Sequence, residues 1–215
     1  MKEQQAVLDF FSQAENLPLG LAVAEQMDTL REQMNTQFWQ ALQARLDSLI
    51  KEHTLPWQVT ATEDRNAAGS LVGLYCSLRS GQKLGQELYL SPMMEQQHLG
   101  SDWRIYFGLM WSVAPTPKQL ALPAVITLKK TLQQAGFKNN ESHLAWQWTM
   151  MHPRRKDFLL RYSHQPEILL AEVQGVFKAL LIDNREVINQ ANESLKSAPR
   201  LLASSFNQMR NELLD

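Results

Sequence analysis

The sequence predicts an α+β fold, an antiparallel sheet of about five to six strands packed by long N- and C-terminal helices. Two observations carry this. Apolar residues recur at helical intervals at both ends of the chain, and short aliphatic and aromatic runs with turn signals between them fill residues 57–162. Segments 1–56, 57–162 and 163–215 read as a helical arm, a sheet with one crossover helix, and C-terminal helices of one domain. With 215 residues, 44% of them hydrophobic and 20% charged, and a net charge of −1, the composition excludes disorder, collagen and disulfide scaffolds.

Val7, Leu8, Phe10 and Phe11 make residues 3–15 a short amphipathic helix, an arm or lid that Asn16 and Pro18 interrupt. From Leu19 to about Thr54, the residues Leu21, Met27, Leu30, Met34, Phe38, Leu42, Leu46 and Leu49 recur mostly at intervals of three and four. That is one long helix, stopped by Pro56. It is longer than one small sheet covers, so part of it should meet another helix or another subunit. Trp57–Thr62, Leu71–Arg79, Glu87–Leu90 and Trp103–Val113 follow as an antiparallel meander, with turns at 66–69, 80–81 and Gly85. In the last run Trp103, Ile105, Phe107, Leu109, Trp111 and Val113 alternate strictly with Arg104, Tyr106, Gly108, Met110 and Ser112, so the first set is core.

A crossover helix runs from Pro117 to Ala135, with Gly136 as its stop. Two further strands are expected. Leu144, Trp146, Trp148 and Met150 share one face, which places both tryptophans in the core, and Phe158, Leu160 and Tyr162 alternate in the next run. The stretch His152-Pro153-Arg154-Arg155-Lys156 between them reads as a hairpin loop. A helical period resumes at Pro166 and continues to about Lys196, and a last helix after Pro199 carries Leu201, Leu202, Phe206, Met209 and Leu213.

The beginning of the chain lacks the basic start and apolar run of a secretory signal, and a single cysteine cannot form an internal bridge; a cytoplasmic location is the expectation. The apolar stretches fall short of the roughly 20 residues that a membrane-spanning helix needs. Charge is unevenly distributed. Residues 103–162 carry nine Lys/Arg against two Asp/Glu, whereas residues 1–55 carry four against eight. Such a block makes a basic face for an anionic partner, or else it answers the acidic N-terminal helix within the fold.

Signals for chemistry are weak. His53, His98, His143, His152 and His164 show no zinc-helix spacing, and Cys76 alternates with Val72, Leu74 and Leu78 as a buried, inert thiol. Gly81-Gln82-Lys83-Leu84-Gly85 opens no helix to hold a phosphate and reads as a turn. Glu63 and Asp64 lie beside Arg65 at a strand end, and Glu87 lies on an expected edge strand; these read as solvated ion pairs. No metal, no cofactor and no enzymatic activity are expected.

Phe38-Trp39-Gln40-Ala41-Leu42 in a long helix, Glu87-Leu88-Tyr89-Leu90 and Tyr106-Phe107-Gly108-Leu109 in a meander, and Trp146-Gln147-Trp148 before a closing helix give an order of elements over residues 30–190. That order resembles the region after the catalytic core in some bacterial PD-(D/E)XK-type nucleases. The resemblance implies a context of DNA cleavage or defence against foreign DNA. It carries no catalysis across, because no acidic residue here has Lys two positions on, and the acid-x-Lys triplet that holds Mg²⁺ is missing.

The remaining candidate site is basic and aromatic: His152, Arg154, Arg155 and Lys156 in the loop, with Arg104, Tyr106 and Arg161 on neighbouring strands. Arginines bind phosphate by paired hydrogen bonds and tyrosine stacks on bases, although a solvated loop tip has the same composition. The expected function is that of a non-enzymatic accessory, immunity, regulatory or defence-system subunit. It would bind a protein partner, or itself, through its long helices. The alternative is a nucleic-acid-binding subunit that uses residues 103–162.

Overall fold

The periodic stripe beginning near Leu19 forms one uninterrupted helix in the computed structural model, which describes residues 2–64, 69–78, 88–97 and 103–197. A short helix α1 (Lys2–Phe11) precedes this long helix, α2 (Leu17–Glu52). Four strands follow: β1 (Trp57–Glu63), β2 (Leu71–Leu78), β3 (Leu90–Gln96) and β4 (Ile105–Trp111). Helices α3 (Pro117–Leu120) and α4 (Pro123–Gln134) cross to β5 (His143–Trp148). Then come α5 (Lys156–His164), α6 (Pro166–Lys178), a π-helical turn (Ala179–Asp183) and α7 (Arg185–Ser197). The sheet has the order β1-β2-β3-β4-β5 with every neighbour antiparallel. Among the described residues no helix is long and apolar enough to cross a membrane.

One core joins the three segments. Phe38, Leu42, Leu46 and Leu49 of α2 pack with Val59, Leu74, Met94, Ile105, Phe107 and Leu109 of the sheet and with residues of α4, α6 and α7. The alternation read in β4 holds: Ile105, Phe107, Leu109 and Trp111 all face this core, and Trp103 is buried as well. Cys76 is also in the core, as its spacing predicts.

Both ends of the α2-to-sheet joint have a physical cause. At the C-terminus of α2, Thr54 donates to Lys51 O (3.2 Å) and Leu55 to Ile50 O (2.9 Å), which is a Schellman turn with Thr54 at φ 49°. At the far end of the sheet, Asn35 donates to Leu71 O (2.9 Å), and Trp39 Nε1 donates to Gln96 Oε1 (3.1 Å) in the interior.

The structure corrects several expectations. Residues 158–162 are helical, not a strand, so the sheet has five strands and Arg161 lies on α5. The expected hairpin loop 152–156 is instead the turn that enters α5, with extended Arg155 as its N-cap, and the boundary at residue 162 falls inside that helix. Phe158 and Tyr162, four residues apart, both meet Phe38 edge-on at 5.1 and 5.8 Å; a pattern alternating over five residues supplies that i, i+4 pair as readily as a strand face. The third strand begins at Leu90, where the sequence pattern places its end, and Pro92 sits within it. The crossover helix is two helices, since Leu122 before Pro123 is extended (ψ 132°). The long C-terminal period is likewise broken by the π-helical turn and Asn184. Glu87, the turns at 66–68, 80–81 and Gly85, His98, and the helix after Pro199 lie outside the described residues.

Candidate functional site

Two surfaces stand out, one on helices and one on the sheet. The first is the part of α2 that precedes the body. Every buried residue of α2 lies at Asn35 or beyond, and α1 has none. About 27 Å of α2, residues 17–34, therefore projects past the sheet. Helix α1 attaches to it where Gly20 leaves room for Phe11: a Cβ at Gly20 would stand 2.8 Å from Phe11 Cδ1. Val7, Leu8, Phe10, Leu17, Leu19, Leu21, Val23 and Leu30 are between 44% and 61% exposed on this arm. Residues 2–34 carry six carboxylates against two cations, so the arm is both apolar and acidic.

The second is a half-buried strip on the sheet face opposite the core, a face on which Met93, Glu95 and Met110 are themselves buried. A bulge in the β4–β5 pairing sets it up. Leu109 pairs with Ala145 but Met110 with His143, so Leu144 is an extra residue. Strict alternation would keep Leu144, Trp146 and Trp148 together. The extra residue breaks it: Leu144 enters the core, while Trp146 and Trp148 stand half-buried beside Gly108 and Tyr106 on the other face. Tyr106 meets Trp148 edge-on at 5.5 Å and Trp146 at 6.3 Å. Arg104 lies over Trp148 (5.3 Å) and exposed Lys138 over Trp146 (5.7 Å). Arg104 is oriented by donating Nε–H to Thr149 O at 2.7 Å.

Inward from this strip, Glu95 is buried and accepts hydrogen bonds from Tyr106 (2.5 Å) and Tyr75 (2.9 Å). Its side chain occupies space that Gly73 leaves open, where a Cβ would come within 2.4 Å of Glu95 Cγ. This strand-face carboxylate is thus engaged by phenols, and the half-exposed rim next to it carries Arg104 and Lys138.

The seven residues singled out in the sequence do not form one cluster. Arg104 and Tyr106 share the aromatic strip. Arg154 stacks on a different tryptophan, Trp103, at 3.7 Å, and half-buried His152 and exposed Arg155 belong to the turn before α5. Lys156 and Arg161 are exposed on α5, where Arg161 pairs with Glu172 of α6 at 2.7 Å. The strip partners that sequence reasoning missed are Trp146, Trp148 and Lys138. The alternation of the tryptophans was visible, but the bulge that sets their face was not.

No described cluster of three or more His, Cys, Asp or Glu could hold a metal ion. The Cys76 thiol is pushed far above its ordinary range by burial, with Asp47 adding to the shift, so it stays protonated and unreactive. Burial, and secondarily Glu167, also raises Tyr162. Compared with protein families, with characterised proteins and with solved structures, the chain matches no family model, no protein and no structure.

Proposed function

We propose that this chain is an interaction protein that holds a protein partner on its projecting helical arm. A single observation carries the reading. Eight of the thirteen large apolar side chains exposed among the described residues lie within Val7–Leu30, on a segment that contributes nothing to the core. Keeping that much apolar surface in water is unfavourable by about 25 cal/mol per Å², a cost that covering it on a partner relieves. The test compares proteins recovered from native cell extract by the wild type and by a variant with Leu19, Val23, Met27 and Leu30 each changed to Ser. Loss of one stoichiometric protein, or of the chain's own second copy, from the variant alone supports the arm. Equal recovery by both overturns it.

The strip of Tyr106, Trp146 and Trp148 with Arg104 and Lys138 favours a second reading, the binding of a single-stranded nucleic acid. Trp146 and Trp148 are two residues apart on one strand face with their rings 5.4 Å apart and perpendicular, so each would meet an unstacked base separately. Two cations beside the rings suit the phosphates between them.

A further inference from the structure

Resting on the arm reading, we infer that the occupant of the arm is a second copy of this chain, packed antiparallel along α2. Val23, Met27 and Leu30 follow the 4,3 spacing of a coiled-coil seam, and Gly20 precedes them at the same period. Val23 and Leu30 are 44% and 47% exposed, Met27 between them is half-buried, and Gly20 is covered by the Phe11 ring of the same chain.

Charge placement makes the seam compatible with itself. Glu25, Asp28 and Glu32, the carboxylates along this stretch, fall on the outer positions of the heptad. The positions flanking the seam are Ala24, Gln26, Arg31 and Gln33, with no carboxylate among them. Two such faces meet without like charges in contact, although the arm as a whole is acidic.

Sterics choose the direction and register. The seam continues onto Phe38, Leu42 and Leu46, which the sheet and helices of the same chain cover. A parallel second helix would follow that stripe into the body beyond Asn35, itself buried and bonded to Leu71. In an antiparallel pair with its two-fold axis near Glu25, Val23 of each copy packs on Met27 of the other. The second copy's Leu17 then lies opposite Gln33, clear of the body. Leu30 reaches Gly20 and the Phe11 ring that covers it, and Leu17 and Leu19 come to the flanks of the seam, where their exposed side chains are covered.

Sedimentation of the full chain and disulfide trapping in a Cys76→Ala background test this. Expected are a concentration-dependent dimer, weakened by roughly a hundredfold or more in Met27→Glu, where like charges meet beside the axis. Thermal unfolding of Met27→Glu should match wild type at a concentration where both are monomeric. A mixture of Val23→Cys and Met27→Cys chains should oxidise to a heterodimer, with neither variant linking to itself. Self-linking of Val23→Cys alone would show a parallel seam and overturn the geometry. A wild-type monomer at about 100 μM, far above any specific dissociation constant of interest, overturns the second copy as occupant. If arm-dependent recovery of another protein persists in that case, the arm reading stands and only the self-association fails.

Discussion

Gly108 of β4 and Trp146 of β5 stand opposite each other at a spacing that only glycine permits. A Cβ on Gly108 would lie 2.8 Å from Trp146 Cα and 2.0 Å from the Ala145 carbonyl oxygen. The clash is with backbone, which cannot rotate away. Gly108→Ala should therefore separate β4 from β5 and cost about 3 kcal/mol or more. Gly175→Ala, in an exposed position of α6 with nothing near its Cβ, should instead gain about 0.5–1 kcal/mol. Denaturant unfolding of the two variants measures both signs against one reference.

Thr54 and Gly136 close two helices with the same turn. Gly136, at φ 88°, donates to Gln133 O, and Phe137 donates to Leu132 O, as Thr54 and Leu55 do at the end of α2. Glycine adopts the left-handed region without cost, whereas a β-branched residue is strained there by about 1–2 kcal/mol. Thr54→Gly should stabilise the fold by about 0.5–1 kcal/mol once glycine's greater unfolded-state entropy is subtracted. A lower denaturation midpoint for this variant would contradict the strain.

Cys76 makes stability depend on pH. Burial raises its folded-state pKa, so the unfolded thiol, at about 8.5, ionises first. The stabilisation is whole below a pH of about 8.5 and declines above it, by about 1.4 kcal/mol per pH unit once the unfolded thiol is ionised and while the folded one is not. Wild-type unfolding free energy should fall more steeply between about pH 8.5 and 10 than that of Cys76→Ala. Raised Tyr162 adds a loss at higher pH in both proteins and so cancels from the comparison. The native thiol should also resist labelling by maleimide at neutral pH until denaturant is added.

Arg104 and Lys138 give the nucleic-acid reading its own test. If single-stranded oligonucleotides bind along the strip, changing each cation to Gln should lower the salt dependence by about 0.7 for each phosphate no longer neutralised. Trp148→Ala should weaken binding by about 1–3 kcal/mol, the usual worth of one base stacked on an aromatic ring. Arg155→Gln and Lys156→Gln, in the turn and first residue of α5, should leave the affinity nearly unchanged. Fluorescence anisotropy over a salt series distinguishes them, and an unbound wild type at low ionic strength ends this reading.

What the sequence determined by itself was periodicity. The stripe on α2, the core face of Ile105, Phe107, Leu109 and Trp111, the burial of Cys76 and the stop at Gly136 all follow from residue spacing and local backbone chemistry. Tertiary structure decided whatever depends on what lies opposite. One extra residue at Leu144 reversed the face of Trp146 and Trp148, because pairing register is a property of two strands and is written in neither alone. Phe158 and Tyr162 became a helical pair because Phe38 stood ready to receive both. The basic block of residues 103–162 dispersed over the entry to β4, an isolated bridge at Lys138, the turn before α5 and three helices, since net charge along a chain sets no position in space. The apolar stripe of α2 was legible throughout its length. Where it goes uncovered was fixed only by the end of the sheet, at Asn35 and Leu71, beyond which the chain has no described element to lay against its core-side stripe.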